Sequence, residues 1–296
     1  MHPSSVKEAE QKNLAAAMAL TSSIMAVEVV GGLISNSLAL LSDAWHMFAD
    51  LTALILCYIA GRISIRPATW DKTYGYYRVE VLAAFMNGAT LVAVAAFIFR
   101  EAFERLASSP AVHGGQMLLV ATVGLAANLS SMTIISRRML SLNVKAAFLH
   151  VLSDALSSIG VIAAAVIIYF TGFSIIDPII GIVIGAIIIY GTGRMLGTVV
   201  NILLEGTPRH IDPRKIIERL KEVEGILDVH DLHVWSITSY LHVLSAHIVL
   251  SEEALGRQEI LLNEVKRILK DEYGVSHSTI QIEREGYREI GEICSI

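Results

Sequence analysis

Six long apolar segments occupy roughly the first two thirds of the chain and limit the folds that it can adopt. They cover residues 14–34, 38–60, 79–99, 117–135, 146–170 and 175–203. A helix needs about 20 predominantly apolar residues to cross a bilayer, so each segment is long enough to do so. Charged residues make up 17% of the 296 residues and hydrophobic ones 54%, against about 25% and about 45–50% in soluble domains. The sequence therefore predicts a membrane all-α bundle of six transmembrane helices.

The links between these segments differ in positive charge. The second-to-third and fourth-to-fifth links carry Arg62, Arg66, Lys72, Arg78, Arg137, Arg138 and Lys145. The links after the first and fifth segments carry no Lys or Arg, and the link after the third balances Arg100 and Arg105 with Glu101 and Glu104. Because cytoplasmic loops are enriched in Lys and Arg, we expect both termini in the cytoplasm.

After residue 204 the sequence takes on the pattern of a small soluble domain. Pro213 lies near the start of a predicted helix, and Gly225 lies just past its end. "DVHDLHVWSI" and "YLHVLSAHIVL" are rich in β-branched and aromatic residues and predict two strands, with Thr238 and Ser239 in the turn. A second amphipathic helix ends at Gly274, and "STIQIERE" predicts a last strand. The order αββαβ indicates an α+β domain.

Two apolar segments carry ionisable residues at the same spacing. "LLSDAWHMFADLTALIL" contains His46 and Asp50, and "FLHVLSDALSSIGVIAAAVIIYF" contains His150 and Asp154. Residues four apart lie one turn apart on the same helix face, so each pair offers one nitrogen and one oxygen in one direction. Two such helices facing each other would supply a tetrahedral N2O2 set, which suits Zn²⁺. The alternative is that these groups form buried hydrogen bonds between helices.

Two more acids lie in the apolar segments. Asp43 either guides ions, remains at the water boundary, or is a helix N-terminal carboxylate that the helix dipole favours. Glu28 is either a polar helix contact or a proton-accessible acid.

Five sequence blocks carry a resemblance to a known family. They are "NSLALLSDAWHMFADLTAL", "YGYYRVEVLAA", "NVKAAFLHVLSDALSSIGVI", "LLEGTP" and "HDLHVWSITSYLHVLSAHIVL". In this order they resemble the cation diffusion facilitator family of zinc transporters, over residues 14–283. The resemblance implies six spans, a cytoplasmic ferredoxin-like C-terminal domain, a homodimer, and exchange of Zn²⁺ for protons.

The resemblance also implies the domain boundaries and the membrane ligands. Residues 1–13 would be a cytoplasmic segment, 14–204 the transmembrane domain, and 205–296 a metal-binding and dimerisation domain. Ligands from spans two and five fall on His46, Asp50, His150 and Asp154, and a His at position 46 favours zinc. The short link between spans four and five has no His and is typical of a bacterial exporter, so we expect the cell inner membrane.

Histidines of the soluble domain are the second candidate site. By resemblance, His230, His247 and Glu283 occupy family metal positions, whereas Gln281 stands where some relatives have a His. Strand residues two apart share a face, so His230 and His233 are expected on opposite faces unless a bulge intervenes. We expect His233 and His242 to pack at the surface or at an interface. The resemblance also suggests an ion pair between Arg78 and Glu205.

Together these patterns predict a Zn²⁺ efflux carrier that exchanges cytoplasmic zinc for external protons by alternating access. Zinc would bind a His2Asp2 site between spans two and five, and a further zinc ion in the C-terminal domain would regulate the carrier. A membrane-bound metal sensor without transport is the alternative. An enzyme is not expected, because the sequence contains no HExxH motif. The net charge of −5 gives no reason to expect a nucleic-acid partner.

Overall fold

The computed structural model describes Ala19, residues 22–136 and residues 142–287. Its apolar helices are α1 (Ser22–Ser35), α2 (Leu38–Ser64), α3 (Arg78–Ser108), α4 (Gly114–Ser136), α5 (Leu142–Thr171) and α6 (Ile176–Leu203). Among the described residues, five helices, α2 to α6, are long and apolar enough to cross a membrane, and α1 is a shorter apolar helix. Most of the N-terminal third of the first predicted span lies outside the described residues. The helices fit the predicted membrane bundle.

The chain divides into two compact units. The first contains Met1–Leu56 and Met86–Met195, and the second contains Cys57–Phe85 and Leu196–Ile296. The hydrophobic core of the first unit is rich in alanine. Its buried small residues include Ala39, Ala49, Ala95, Ala121, Ala164 and Ala165. Small side chains allow helices to approach closely in a membrane, where apolar surface alone does not drive association.

Helix α3 extends nine residues beyond the predicted span, which ended at residue 99. The charged residues that the sequence placed in a link lie in its last turns. Arg100 contacts Glu104 at 2.8 Å, and Arg105 contacts Glu101 at 2.9 Å, each pair one helical turn apart. Such i,i+4 pairs stabilise a helix, so the first nine residues of this predicted link extend α3.

The second unit contains the predicted αββαβ domain. Its elements are α7 (Pro213–Lys221), β1 (Ile226–Ser236), β2 (His242–Leu250), α8 (Gln258–Tyr273) and β3 (Val275–Arg284), with a 3₁₀ turn at Glu252–Arg257 before α8. Asp212 caps α7 by accepting a 3.1 Å hydrogen bond from the backbone N–H of Arg214. Gly274 ends α8 with a φ of +70°, a conformation that glycine adopts at low cost.

The three strands form one sheet in the order β1-β2-β3, with β1 and β2 antiparallel and β2 and β3 parallel. Helix α7 packs on β1, and α8 packs on β3. The core between sheet and helices includes Ile216, Leu220, Val229, Val234, Leu244, Ile248, Val265 and Leu269. The sheet therefore buries one apolar face beneath its helices, and polar side chains can occupy the other face.

Two candidate metal centres

The first candidate centre lies among the membrane helices. His46 and Asp50 project from α2, and Asp154 projects from α5. One donor atom from each of these three residues lies within 4.8 Å of the others. His46 Nε2 is 3.6 Å from Asp50 Oδ2, as their spacing of four residues predicts. Asp154 is only 2% exposed, whereas about a quarter of the His46 and Asp50 side chains is accessible.

His150 is the fourth predicted ligand of this centre. It lies on α5, one helical turn before Asp154. Its side chain lies outside the described residues, so His150 stays a prediction from the spacing.

Asp43 lies beside this cluster. It is 2% exposed and accepts a 2.7 Å hydrogen bond from the hydroxyl of Ser157 on α5. The first turn of α2 contains no acidic residue, since Asp43 is the sixth residue of that helix. Its predicted role as a helix N-terminal carboxylate is therefore wrong. The spacing rules gave no signal for Ser157, because it lies 114 residues away.

Glu28 is a second buried acid, on α1. It is 1% exposed, and its Oε2 atom has no hydrogen-bond partner among the residues that the structure describes. Its carboxylate interacts electrostatically with Asp43 and Asp154. Because like charges repel strongly where little water is present, these three acids favour a cation or protons among them.

The second candidate centre lies on the polar face of the C-terminal sheet, where a β-bulge changes the predicted alternation. The strand register pairs His230 with His247 and His233 with Ser245, with an irregularity between the two pairs. Asp231, inside the bulge, has a φ of +45°, a conformation that Asp tolerates better than most residues. His230 and His233 therefore share a face. The sequence placed them on opposite faces unless a bulge intervened, and the bulge is present.

Three predicted ligands converge on this face. His247 Nδ1 is 3.0 Å from Glu283 Oε1, and His230 Nε2 is 3.4 Å from Glu283 Oε2. One donor atom from each lies within 4.8 Å of the others. The Glu283 side chain is 4% exposed, whereas that of His230 is 38% exposed. The carboxylate of Glu283 is therefore buried, and the imidazole of His230 is accessible to solvent.

Two neighbours surround these three residues. Asp231 Oδ1 is 2.9 Å from His233 Nε2, and Asp231 Oδ2 is 3.6 Å from His247 Nε2. Gln281 donates a 2.9 Å hydrogen bond from Nε2 to Glu283 Oε1. Gln281 therefore orients the carboxylate of Glu283. Asp231 was not among the predicted site residues, and its φ arises from the bulge.

His242 was expected at the surface or at an interface, and the surface placement is wrong. It is 7% exposed, and its Nδ1 atom is 3.0 Å from the Ser236 hydroxyl. Its ring centroid lies 5.0 Å from that of His210. Burial, and secondly the nearby charge of His210, lower the pKa of His242 below the usual 6.5. This side chain therefore favours the neutral form and belongs to the interior of the domain.

The predicted ion pair between Arg78 and Glu205 is formed, at 2.9 Å.

The sequence and the fold together identify a family of membrane transporters. Residues 14–204 match the cation efflux transmembrane domain, and residues 208–285 match the cytoplasmic domain of cation efflux proteins. The chain therefore belongs to the cation efflux family, and the resemblance to cation diffusion facilitators is confirmed.

Three relatives share most of their length with this chain. The metal cation efflux system protein CzcD of Cupriavidus metallidurans is 42% identical, over 92% of this chain and 86% of that protein. The cadmium, cobalt and zinc/H(+)-K(+) antiporter of Bacillus subtilis is 38% identical, over 94% and 91% respectively. The zinc transporter ZitB of Escherichia coli is also 38% identical, over 92% and 87%.

Proposed function

We propose that the chain is a zinc efflux carrier that exchanges Zn²⁺ for protons by alternating access. The transported ion binds His46, Asp50, His150 and Asp154 between α2 and α5. The observation that carries this proposal is the convergence of His46, Asp50 and Asp154, whose donor atoms lie within 4.8 Å of one another on two helices that are long and apolar enough to cross a membrane. Zinc and proton exchange both appear in the names of the similar proteins.

The donor chemistry suits reversible zinc binding. Imidazole nitrogen and carboxylate oxygen are common zinc ligands, and the set contains no thiolate, which softer ions prefer. Neutralising the carboxylates with a 2+ ion offsets the cost of keeping them away from water. The set therefore binds zinc without sulfur ligands and releases it when its groups are protonated.

Protons are the natural counter-ion of such a site. A zinc ligand must be deprotonated, so metal binding displaces protons from the His and Asp side chains, and protons in turn displace metal. Histidine titrates near neutral pH, which makes this competition effective under ordinary conditions. Zinc enters from the cytoplasm, and external protons release it on the other side.

The membrane orientation follows from the charge of the links. The Lys and Arg residues between α2 and α3 place that link in the cytoplasm, together with both termini. The carrier is a multi-pass protein of the inner membrane. Two copies form a homodimer through their C-terminal domains and membrane helices, as the match to a dimerising cytoplasmic domain supports.

The C-terminal cluster has a regulatory role in this proposal. His230, His247 and Glu283 bind zinc from the cytoplasm, and the bound ion biases the arrangement of the two C-terminal domains. The convergence of these three side chains on the polar face of the sheet supports the assignment. A membrane-bound sensor without transport is the second candidate, because this cluster alone could report zinc concentration.

Zinc uptake into everted membrane vesicles tests the carrier. Asp154→Asn keeps the shape of the side chain and removes its charge, so we expect zinc uptake to fall by at least about 100-fold, since even outer-shell changes cost about 10–100-fold. Glu104→Gln, an exposed acid on α3, is the matched control and retains uptake. Uptake by Asp154→Asn at the control rate would remove the membrane site from the mechanism.

Proteoliposomes with an imposed pH gradient separate exchange from sensing. Zinc movement should follow the direction and size of the gradient, and zinc addition should move protons the other way. A sensor would bind zinc with no flux in either direction. Zinc flux that ignores the pH gradient would identify a passive channel instead.

A further inference from the structure

A cleft of about 470 Å³ lies within the second unit, at the ends of membrane helices. It is formed by the α2–α3 link, the first turns of α3, the end of α6, and the C-terminal end of β1. The candidate metal centres do not use it. Its position at helix ends places it at the boundary between membrane and water, where lipid headgroups lie.

One wall of the cleft carries a cation that pairs with no acid in the described part of the chain. Arg78 in this wall is paired with Glu205 at 2.9 Å. Lys72 also lines the cleft, and it makes no ion pair with any residue that the structure describes. Arg62 in the last turn of α2 and Arg66 in the link are also exposed. With Lys72 and Arg78 they make four cations, against the three acids Asp71, Glu80 and Glu205.

The other wall is apolar and runs along the helix ends. Val79, Leu82 and Leu203 line it, and Leu82 is 53% exposed although it lies one turn inside a membrane helix. Tyr74 and Trp235 also line the cleft. Tyr and Trp combine an apolar ring with a polar tip and favour the headgroup level of a bilayer.

We propose that this cleft binds one anionic phospholipid. Its phosphate pairs with the Lys72 ammonium, and one acyl chain follows Val79, Leu82 and Leu203. Charge complementarity selects an anionic headgroup, because a zwitterionic lipid carries its own cation and gains less from Lys72. The apolar wall selects a lipid over a free phosphate, since inorganic phosphate leaves this surface exposed. This inference does not depend on which ion the protein carries.

Thermal unfolding and native mass spectrometry of the full-length protein in detergent test the proposal. We expect phosphatidylglycerol to remain bound and to raise the unfolding temperature, whereas phosphatidylcholine and inorganic phosphate do so much less. Lys72→Gln should weaken phosphatidylglycerol binding about fivefold, the effect of one basic group at a membrane surface. Lys266→Gln, an exposed lysine on α8 outside the cleft, is the matched control.

Four results would overturn the proposal. Equal stabilisation by phosphatidylglycerol and phosphatidylcholine would remove the selection for charge, and full stabilisation by inorganic phosphate would leave a phosphate site without a lipid. Equal lipid affinity in Lys72→Gln and Lys266→Gln would exclude the cleft. A Lys72→Cys variant, with Cys57 and Cys294 changed to serine, tests another occupant: a disulfide between two copies would place a partner subunit there and overturn the lipid assignment.

Discussion

His230 and His247 lie directly opposite each other in the β1–β2 register, with their ring centroids 5.3 Å apart and their planes at 82°. Both rings stand on the face of the sheet that α7 and α8 leave free. Glu283, beside them on β3, approaches both imidazoles. Antiparallel neighbours hold their side chains at a fixed separation, so the sheet itself sets the geometry of this group.

Removing one of the two rings should abolish zinc binding in the C-terminal domain. We expect His247→Ala to weaken zinc binding there by at least about 100-fold, because an outer-shell change alone costs about 10–100-fold. Equilibrium zinc titration of the Asp154→Asn protein isolates this site from the membrane site. His277→Ala, an exposed histidine outside the cluster, provides the control. Unchanged zinc stoichiometry in His247→Ala would show that the ions bind elsewhere.

The bulge at Asp231 should tolerate only residues that adopt positive φ. Asp231 has a φ of +45°, and a left-handed conformation costs an ordinary residue about 1–2 kcal/mol. Asp231→Val should lower stability by about this amount, whereas Asp231→Asn, which tolerates the same conformation, should change it little. Hydrogen exchange over β1 and β2 in the full-length protein measures the difference. Leu227→Val makes a β-branched substitution at an exposed β1 position and controls for the side-chain type.

Asp177 on α6 should be essential for the start of α2. Its carboxylate accepts hydrogen bonds from the backbone N–H groups of Leu38, at 2.6 Å, and Ala39, at 3.2 Å. Asp177→Ala takes the acceptor from these two buried N–H groups and from the Ser37 hydroxyl, so we expect a loss of about 2–4 kcal/mol in the free energy of unfolding. Asp177→Asn retains one oxygen and should lose less. Denaturant unfolding in detergent measures both variants. Equal free energies of unfolding for Asp177→Ala and Asp177→Asn would exclude the cap.

Gly114 should be needed because helix α4 starts close to the end of α5. A Cβ atom at Gly114 would lie 2.7 Å from the backbone nitrogen of Tyr169, and backbone atoms cannot move aside cheaply. Gly114→Ala should therefore cost about 1–3 kcal/mol of stability, the usual cost of overpacking. At Gly160 within α5, such a Cβ would meet no atom of the described residues within 4 Å apart from its chain neighbours and the nearby backbone of its own helix, so Gly160→Ala should be neutral or stabilising. Thermal unfolding of both variants in one detergent makes the comparison.

The pairing of His46 with Asp50 was predictable because its geometry is local. The spacing of four residues alone places His46 next to Asp50 on α2. The cap on α2 was not predictable in this way, since Asp177 lies 139 residues from Leu38. Ser157 beside Asp43 was missed for the same reason, because a long-range contact leaves no periodic signal in the sequence.

The C-terminal strands show a second limit of predicting structure from sequence patterns. Alternation placed His230 and His233 on opposite faces, but one inserted residue returns them to the same face. The only local signal was Asp231, a residue type that tolerates positive φ, and that signal is too weak to position a bulge. The order αββαβ was predictable because its turns and helix ends carry Pro213, Gly225 and Gly274.

The buried imidazole of His242 should make stability depend on pH. Burial, and then the charge of His210, lower the pKa of His242 in the folded protein below 6.5. As the pH falls below 6.5, His242 in the unfolded chain binds a proton before His242 in the folded protein does. The contribution of neutral His242 to the free energy of unfolding is therefore fully present above pH 6.5 and is lost as the pH falls from 6.5 to the lower folded-state pKa. His242→Asn keeps a polar partner for Ser236 and should reduce this loss. Unfolding of the full-length protein between pH 5.5 and pH 8 with a chelator present measures the difference, and His277→Asn is the control. The same pH slope in His242→Asn as in the unaltered protein would show that other groups cause the dependence.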